Sequence, residues 1–251
     1  MAVFKMSFAS KELKQTTHVN IIIPGNAGDK IKTMWLLHGL SGDQDAWMDK
    51  TAIERYANSY RIAVIMPTSD RCWYTDTAYG KNYFTFLTEE LPEVCRKYFR
   101  GLSDAREDNM ITGLSMGGYG AVKAALTCPE KYGYCGGLSA SLDITREGKP
   151  YDLNEWRSIF GFELNDAREL AGTKHDIFAL LKKNYEEKKE LPDFYTWCGT
   201  EDGLLTVNKK FSAALDEYGY KHKFEYSEGN HSWKWWDLHI KDVFRYCLRE
   251  E

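Results

Sequence analysis

Residues 109–126 read Asn109-Met110-Ile111-Thr112-Gly113-Leu114-Ser115-Met116-Gly117-Gly118-Tyr119-Gly120-Ala121-Val122-Lys123-Ala124-Ala125-Leu126. The first four residues make an apolar run of strand length, and the residues from Met116 continue with helical character to about Thr127. Between them lies Gly113-Leu114-Ser115-Met116-Gly117, a Gly-x-Ser-x-Gly pattern. A serine that projects its hydroxyl from a tight strand-to-helix turn adopts a strained backbone with positive φ. Side chains two positions before and after it would collide, so both positions take glycine. The helix that follows points its positive end at the hydroxyl, and the Met116 amide is aimed where an oxyanion would form. The pattern arises by chance roughly 0.08 times in a chain of this length and composition. The strand before it and the helix after it therefore decide the reading, and Ser115 is the candidate nucleophile.

Outward from this turn, apolar strands alternate with helices, the order expected of a mostly parallel α/β sheet flanked by helices. Strands are predicted at 33–37, 62–66 (stopped by Pro67), 109–112, 134–138, 194–198 and 223–226. Helices are predicted at 53–59, 83–99, 116–127, 207–218 and 233–247. Pro92 falls inside the second helix, where a kink or restart is expected. An opening pair at 3–8 and 17–23 reads as an antiparallel hairpin with a long first turn. Some 50 residues, 141–191, separate two late strands, more than a crossover helix needs. This insertion is expected to act as a lid or pocket wall, and its charged run Lys182 to Glu190 as a solvated helix face. No repeat or linker divides the 251 residues, so one domain is expected.

A serine hydroxyl needs a histidine to take its proton, and that histidine needs a carboxylate to fix its tautomer. His231, in Glu228-Gly229-Asn230-His231-Ser232-Trp233, follows a predicted strand and so lies at the carboxyl edge of the sheet. His222 precedes the same strand, and His239 falls within the last helix. Cys198-Gly199-Thr200-Glu201-Asp202-Gly203 also follows a strand and offers two acids. Asp202 is favoured over Glu201 because its shorter side chain has fewer torsions to restrain. The loop Leu37-His38-Gly39-Leu40-Ser41-Gly42 follows the first buried strand, and its glycines let the Leu40 amide approach as a second oxyanion donor. His38 is read as shaping that loop. Trp73 and Tyr74 follow the second buried strand and are expected to wall a substrate pocket that Trp233 closes.

Composition narrows the partners. The formal charge is −4, from 33 Lys+Arg against 37 Asp+Glu, which leaves no basic footprint for nucleic acid. No segment has the ~18 apolar residues of a membrane span, and no leader-like stretch opens the chain, so a cytoplasmic protein is expected. The six cysteines show neither Cys-x-x-Cys pairs nor zinc-like spacing with histidine, and are expected as reduced thiols without a metal. No cofactor is called for.

Five motifs, Leu36 to Gly42, Trp73 to Thr77, Gly113 to Gly120, Trp197 to Asp202 and Gly229 to Trp233, resemble the esterase D group of α/β-hydrolases. Within it the chain looks most like the bacterial tributyrin esterases, and the likeness spans nearly the whole sequence from Met1. The resemblance implies an α/β-hydrolase fold, a Ser115–Asp202–His231 triad, and an oxyanion hole from the Leu40 and Met116 amides. It also implies a serine carboxylesterase acting on small acyl esters, acetyl to butyryl, with feruloyl esters as candidates. Relatives often assemble, so a homo-oligomer is compatible with it. Related proteins include feruloyl and acetyl-xylan esterases, S-formylglutathione hydrolases and mycolyltransferases. An acyltransferase or an S-formylglutathione-type thioesterase on the same triad is thus the alternative, and a non-catalytic binding protein the more distant one.

Overall fold

The computed structural model describes residues 1–25, 28–145 and 152–249. The chain runs β1 (Ala2–Ser10), β2 (Gln15–Ile23), β3 (Thr33–Leu37), α1 (Ala46–Lys50), α2 (Ile53–Tyr60) and β4 (Ala63–Pro67). It continues through α3 (Tyr83–Thr85), a π-helical turn (Phe86–Glu90), α4 (Leu91–Tyr98), β5 (Asn109–Leu114), α5 (Met116–Thr127) and β6 (Tyr134–Leu138). Then come α6 (Leu153–Phe160), α7 (Ile177–Glu186), β7 (Asp193–Gly199), α8 (Leu205–Tyr218), β8 (His222–Ser227) and α9 (Trp233–Leu248).

All eight strands join one sheet in the order β1-β2-β4-β3-β5-β6-β7-β8. The pairs β1–β2 and β2–β4 are antiparallel, and every pair from β4 onward is parallel. Every residue of β3, β4, β5 and β6 is buried, as strands covered on both faces require. The two-residue alternation of β3 shows why. Met34 and Leu36 enter a core closed by Trp47 of α1, Ile53 of α2 and Ile240 and Phe244 of α9. Trp35 and Leu37 enter the opposite core, closed by Leu91 of α4, Tyr119 of α5, Leu181 of α7 and Phe211 of α8. The parallel strands all end at one edge, where the loops after β3, β5, β7 and β8 collect.

Two local features depart from the sequence expectation, and a third gives it its form. The first hairpin has a short turn, residues 11–14, because both strands run further than predicted. Leu13 plugs the core there, and the Glu90 carboxylate accepts the Lys11 amide at 2.7 Å and the Ser10 hydroxyl at 2.5 Å. Around Pro92, where a kink or restart is expected, the helix runs on without a break from α3 through the π-helical turn into α4. Proline cannot donate to the Thr88 carbonyl four residues back, and the π-helical turn absorbs the clash. The Lys131 ammonium donates to that orphaned Thr88 carbonyl at 2.9 Å. Finally, α1 was not anticipated, since five residues are too few to show a period.

Within the insertion α6 packs on the loop after β4 and α7 packs on α5 and α8; its residues 146–151 lie outside the described residues. The Ala78 and Tyr79 amides donate to the Ile159 and Ser158 carbonyls at 3.0 and 3.1 Å. The Tyr119 hydroxyl donates to the His175 carbonyl at 2.9 Å. The charged run is exposed except at Asn184, which is buried and donates to the Leu126 carbonyl at 2.8 Å. All six cysteines are free thiols. Among the described residues no helix is long and apolar enough to cross a membrane.

Candidate active site

Ser115 sits between β5 and α5 with φ 52° and ψ −116°, the strained turn that the Gly-x-Ser-x-Gly spacing predicts. The glycine requirement is steric. A Cβ on Gly113 would lie 2.3 Å from the Gly117 carbonyl, and one on Gly117 would lie 2.5 Å from the carbonyl oxygens of Leu37 and His38. The backbone is pinned on both sides: the Ser115 amide donates to Leu138 at 3.0 Å, and its carbonyl accepts the Ser141 amide at 3.1 Å.

The loops after β7 and β8 bring the acid and the histidine to this serine. Ser115 Oγ and His231 Nε2 are 3.0 Å apart, and His231 Nδ1 and Asp202 Oδ2 are 2.8 Å apart. An ionised carboxylate only accepts, so Nδ1 carries the proton and Nε2 is left to accept from the serine. The Asp202 side chain is 1 % exposed, against 40 % for His231. Burial opposes ionisation of Asp202, but the bonds from His231 and the Leu204 amide outweigh it and hold its carboxyl below the usual range. The two loops touch without side chains between them: a Cβ on Gly199 would fall 2.2 Å from the Gly229 carbonyl oxygen. Glu201, the other candidate acid, is exposed, and it is Asp202 that bonds His231. His222 bonds Ser212, and His239 pairs with Asp242 and stacks on Trp197.

The loop after β3 forms the other wall. An added Cβ on Gly39 would lie 3.6 Å from Ser115 Cβ, which measures how closely the loop approaches. The Leu40 amide donates to no acceptor among the described residues. Met116 is the first residue of α5, so its amide has no intrahelical partner. His38 is buried, and burial lowers its pKa, keeping it neutral. Its Nε2 accepts the Ser69 amide at 2.9 Å, which leaves the proton on Nδ1 to donate to the Gly39 carbonyl at 2.7 Å. The sequence reading of His38 as a residue that shapes the loop fits this geometry.

A cavity of about 600 Å³ opens over Ser115, lined among others by Leu40, Lys50, His231, Trp233 and Trp236. Trp233 stands where expected, but Trp73 and Tyr74 do not line this cavity. Both have positive φ, 52° and 45°, and the segment turns beneath the loop after β3 instead of along the pocket. The Tyr74 ring packs so tightly on Gly120 that a Cβ there would meet it at 2.5 Å, and its hydroxyl donates to the His38 carbonyl at 3.0 Å. Trp73 packs edge-to-face on Tyr119 and Trp156. The sequence reading missed Trp236, whose ring lies 4.9 Å from that of His231, and Trp47, edge-on to Trp233 at 5.2 Å. The three-residue spacing of Trp233 and Trp236 was the available signal, since it puts both on one helix face.

Proteins that hold a serine at a strand-to-helix elbow on such a sheet form the α/β-hydrolase class of serine hydrolases, and this fold and site fall within it. The chain belongs to the family described as "Putative esterase", which matches residues 10–246. It is 32 % identical over 268 residues to an acetyl esterase of Caldicellulosiruptor saccharolyticus, covering 99 % of each chain. The solved structure of the Staphylococcus aureus fluorophosphonate-binding serine hydrolase F superposes with a TM-score of 0.89 at 32 % identity, covering 98 % of each chain. The S-formylglutathione hydrolase FrmB of the same organism superposes with a TM-score of 0.86, also at 32 % identity and 98 % coverage of each chain.

Proposed function

We propose that the chain hydrolyses short-chain acyl esters through an acyl-enzyme on Ser115. The observation that carries this reading is the pair of contacts of 3.0 and 2.8 Å that links Ser115, His231 and Asp202 in line. Ser115 Oγ attacks the acyl carbonyl while His231 Nε2 takes its proton, and buried Asp202 stabilises the imidazolium that results. Charge developing on the carbonyl oxygen is met by the Leu40 and Met116 amides. His231 then gives the proton to the departing alkoxide, and the same histidine activates the water that releases the acid.

Trp233 and Trp236 close the cavity on the histidine side and limit the chain it accepts. Each buried CH₂ of an acyl group gains about 0.8 kcal/mol, but only until the wall is reached. The expected substrates are therefore acetyl to butyryl esters, with flat hydroxycinnamoyl esters accepted along the tryptophan faces. No described residue of the insertion lines the cavity, so its proposed part is that of a lid held against the loop after β4 and not of a pocket wall, and the chain acts as one domain. The six unpaired thiols suit a reducing, cytoplasmic setting. Among the described residues no cluster of three metal-ligating side chains occurs, and the mechanism calls on no metal or cofactor. The test is a series of p-nitrophenyl esters from acetyl to decanoyl, with methyl ferulate, run with and without EDTA. kcat/KM should peak by butyryl and fall by octanoyl, with EDTA inert. A steady rise through decanoyl would sink the short-pocket reading.

A thioesterase acting on S-formylglutathione is the second reading, favoured by the likeness to FrmB and by Lys50 among the residues lining the cavity, a cation that suits an anionic thiol half. A kcat/KM for S-formylglutathione far above that for p-nitrophenyl acetate would put it first.

A further inference from the structure

Resting on that reading of the site, we propose that Arg71 is a positioning residue that holds the oxyanion loop in its working shape from the insertion, through a Glu155–Arg71–Ser41 clasp. Arg71 lies in the loop after β4, and its guanidinium bridges two segments far apart in sequence. Nε and Nη2 donate to the two Glu155 oxygens at 2.5 and 3.0 Å, a fork on a carboxylate in the first turn of α6. The third donor, Nη1, reaches Ser41 Oγ at 2.9 Å.

Ser41 is the residue where this contact matters. It directly follows Leu40, lines the cavity over Ser115, and has φ 66°, which a non-glycine residue adopts only when its surroundings impose it. The loop's first half is fixed from the core side, by Ser69 and Tyr74 on His38. Its second half is closed by the Gly42 amide on the Gly39 carbonyl at 3.1 Å. Among the described residues, the one side-chain hydrogen bond to Ser41 comes from Arg71. Glu155, for its part, is set by α6. Asp152 accepts its amide at 3.0 Å, and the next residue, Trp156, packs on Trp73. The orientation of the Leu40 amide thus depends on where α6 sits.

Arginine is needed for geometric reasons, because three donors of one planar group serve two partners at once and a lysine ammonium cannot reproduce the fork. The Arg71 side chain is 45 % exposed, so the ion pair adds little to global stability, and a kinetic effect can be separated from unfolding.

The experiment compares the full chain with its Arg71→Ala, Arg71→Lys, Ser41→Ala and Arg71→Ala/Ser41→Ala variants. In Arg71→Ala, kcat for p-nitrophenyl acetate should fall about tenfold, less than the loss of an oxyanion donor itself, with KM changed by less than about threefold. Arg71→Lys should recover only part of that loss. The double variant should be no slower than Arg71→Ala, since both changes break one contact. The melting temperature should move by no more than about 2 °C. Amide hydrogen exchange supplies a readout independent of turnover: the Gly42 amide, which the Gly39 carbonyl protects, should exchange about tenfold faster in Arg71→Ala, with α5 unchanged. Unchanged exchange in that loop overturns the clasp. So does a kcat loss that is additive with Ser41→Ala or tracks a large fall in melting temperature. A wild-type chain that cleaves no ester overturns the functional reading instead, and the exchange measurement then decides the clasp alone.

Discussion

On one side of Ser115 stand Asp202 and His231, carried by the loops after two neighbouring strands and bonded directly to one another at 2.8 Å. On the other side stands the 38–42 loop, whose Leu40 amide is the proposed oxyanion donor and whose braces are distant residues: Ser69 and Tyr74 on His38, and Arg71 on Ser41. The first half is self-contained, because glycine-to-glycine contact between its loops leaves nothing to adjust. The second half is assembled by a bracket, the segment after β4, that itself leans on α5 and on the insertion. In the proposed mechanism, the groups that react are held by short direct bonds, whereas those that only offer an amide are held at one remove. Substitutions should accordingly have their largest effects on the direct side.

The largest effect should come from Ser115→Ala, where both halves converge. Turnover should fall on the order of 10⁴-fold or more while circular dichroism and melting stay those of the wild type. A variant that keeps a tenth of the wild-type rate would remove Ser115 from its role. Next comes the acid. Asp202→Asn should cost roughly 10⁴-fold in kcat by leaving His231 in the wrong tautomer, whereas Glu201→Gln should stay within about twofold. The reverse result would hand the role to Glu201 and break the direct-bond account of that side.

On the bracketed side, Tyr74→Phe removes the donor to the buried His38 carbonyl. It should destabilise the chain by about 1 to 2 kcal/mol and slow turnover only a few-fold, as read by denaturant unfolding and initial rates. A loss as large as that of Asp202→Asn would show that the two sides are not held differently.

The smallest effect on rate, and a distinct one on stability, concerns the base of the bracket. Lys123 of α5 is buried and donates to Thr75 Oγ1 at 2.6 Å. Burial, helped by Lys174 and opposed by Asp76, pulls it from 10.5 down to about 7. Between those two values the unfolded chain binds more protons than the folded one, so stability should rise as pH increases from about 7 toward 10. Lys123→Met should flatten that rise and melt higher at pH 7, with kcat nearly unchanged. Equal slopes in parallel melts at pH 7, 8 and 9 would show that Lys123 does not titrate in this range.

The direct side was legible in the sequence because its signals are local. A strand, a glycine-flanked serine and a helix occupy consecutive residues, and His231 and the Glu201-Asp202 pair each follow an apolar run. The six parallel strands were placed to within about two residues for the same reason. Of the bracketed side, the glycine loop and the shaping part of His38 were legible, and the residues that brace them were not. Trp73-Tyr74 stands at the correct sheet edge for a pocket wall, and nothing in those two residue types announces consecutive positive φ values. Arg71 and Glu155 are 84 residues apart, and pairing across such a separation leaves no periodic trace. Trp236 could have been found from its spacing to Trp233, whereas Trp47 belongs to a helix too short to announce itself.

The free cysteines carry a consequence for chemical labelling. Burial pushes Cys72 and Cys128 up to about 11 and Cys95 and Cys198 up to about 12, and raises Cys135 and Cys247 as well. At neutral pH the thiolate fraction of even the most acidic of them is on the order of 10⁻⁴, and thiolate is the form that attacks an electrophile. On the role proposed for Ser115, an acylating or phosphonylating reagent should therefore tag its hydroxyl and not a thiol, and mass spectrometry should find one tag per chain with the six cysteines unmodified.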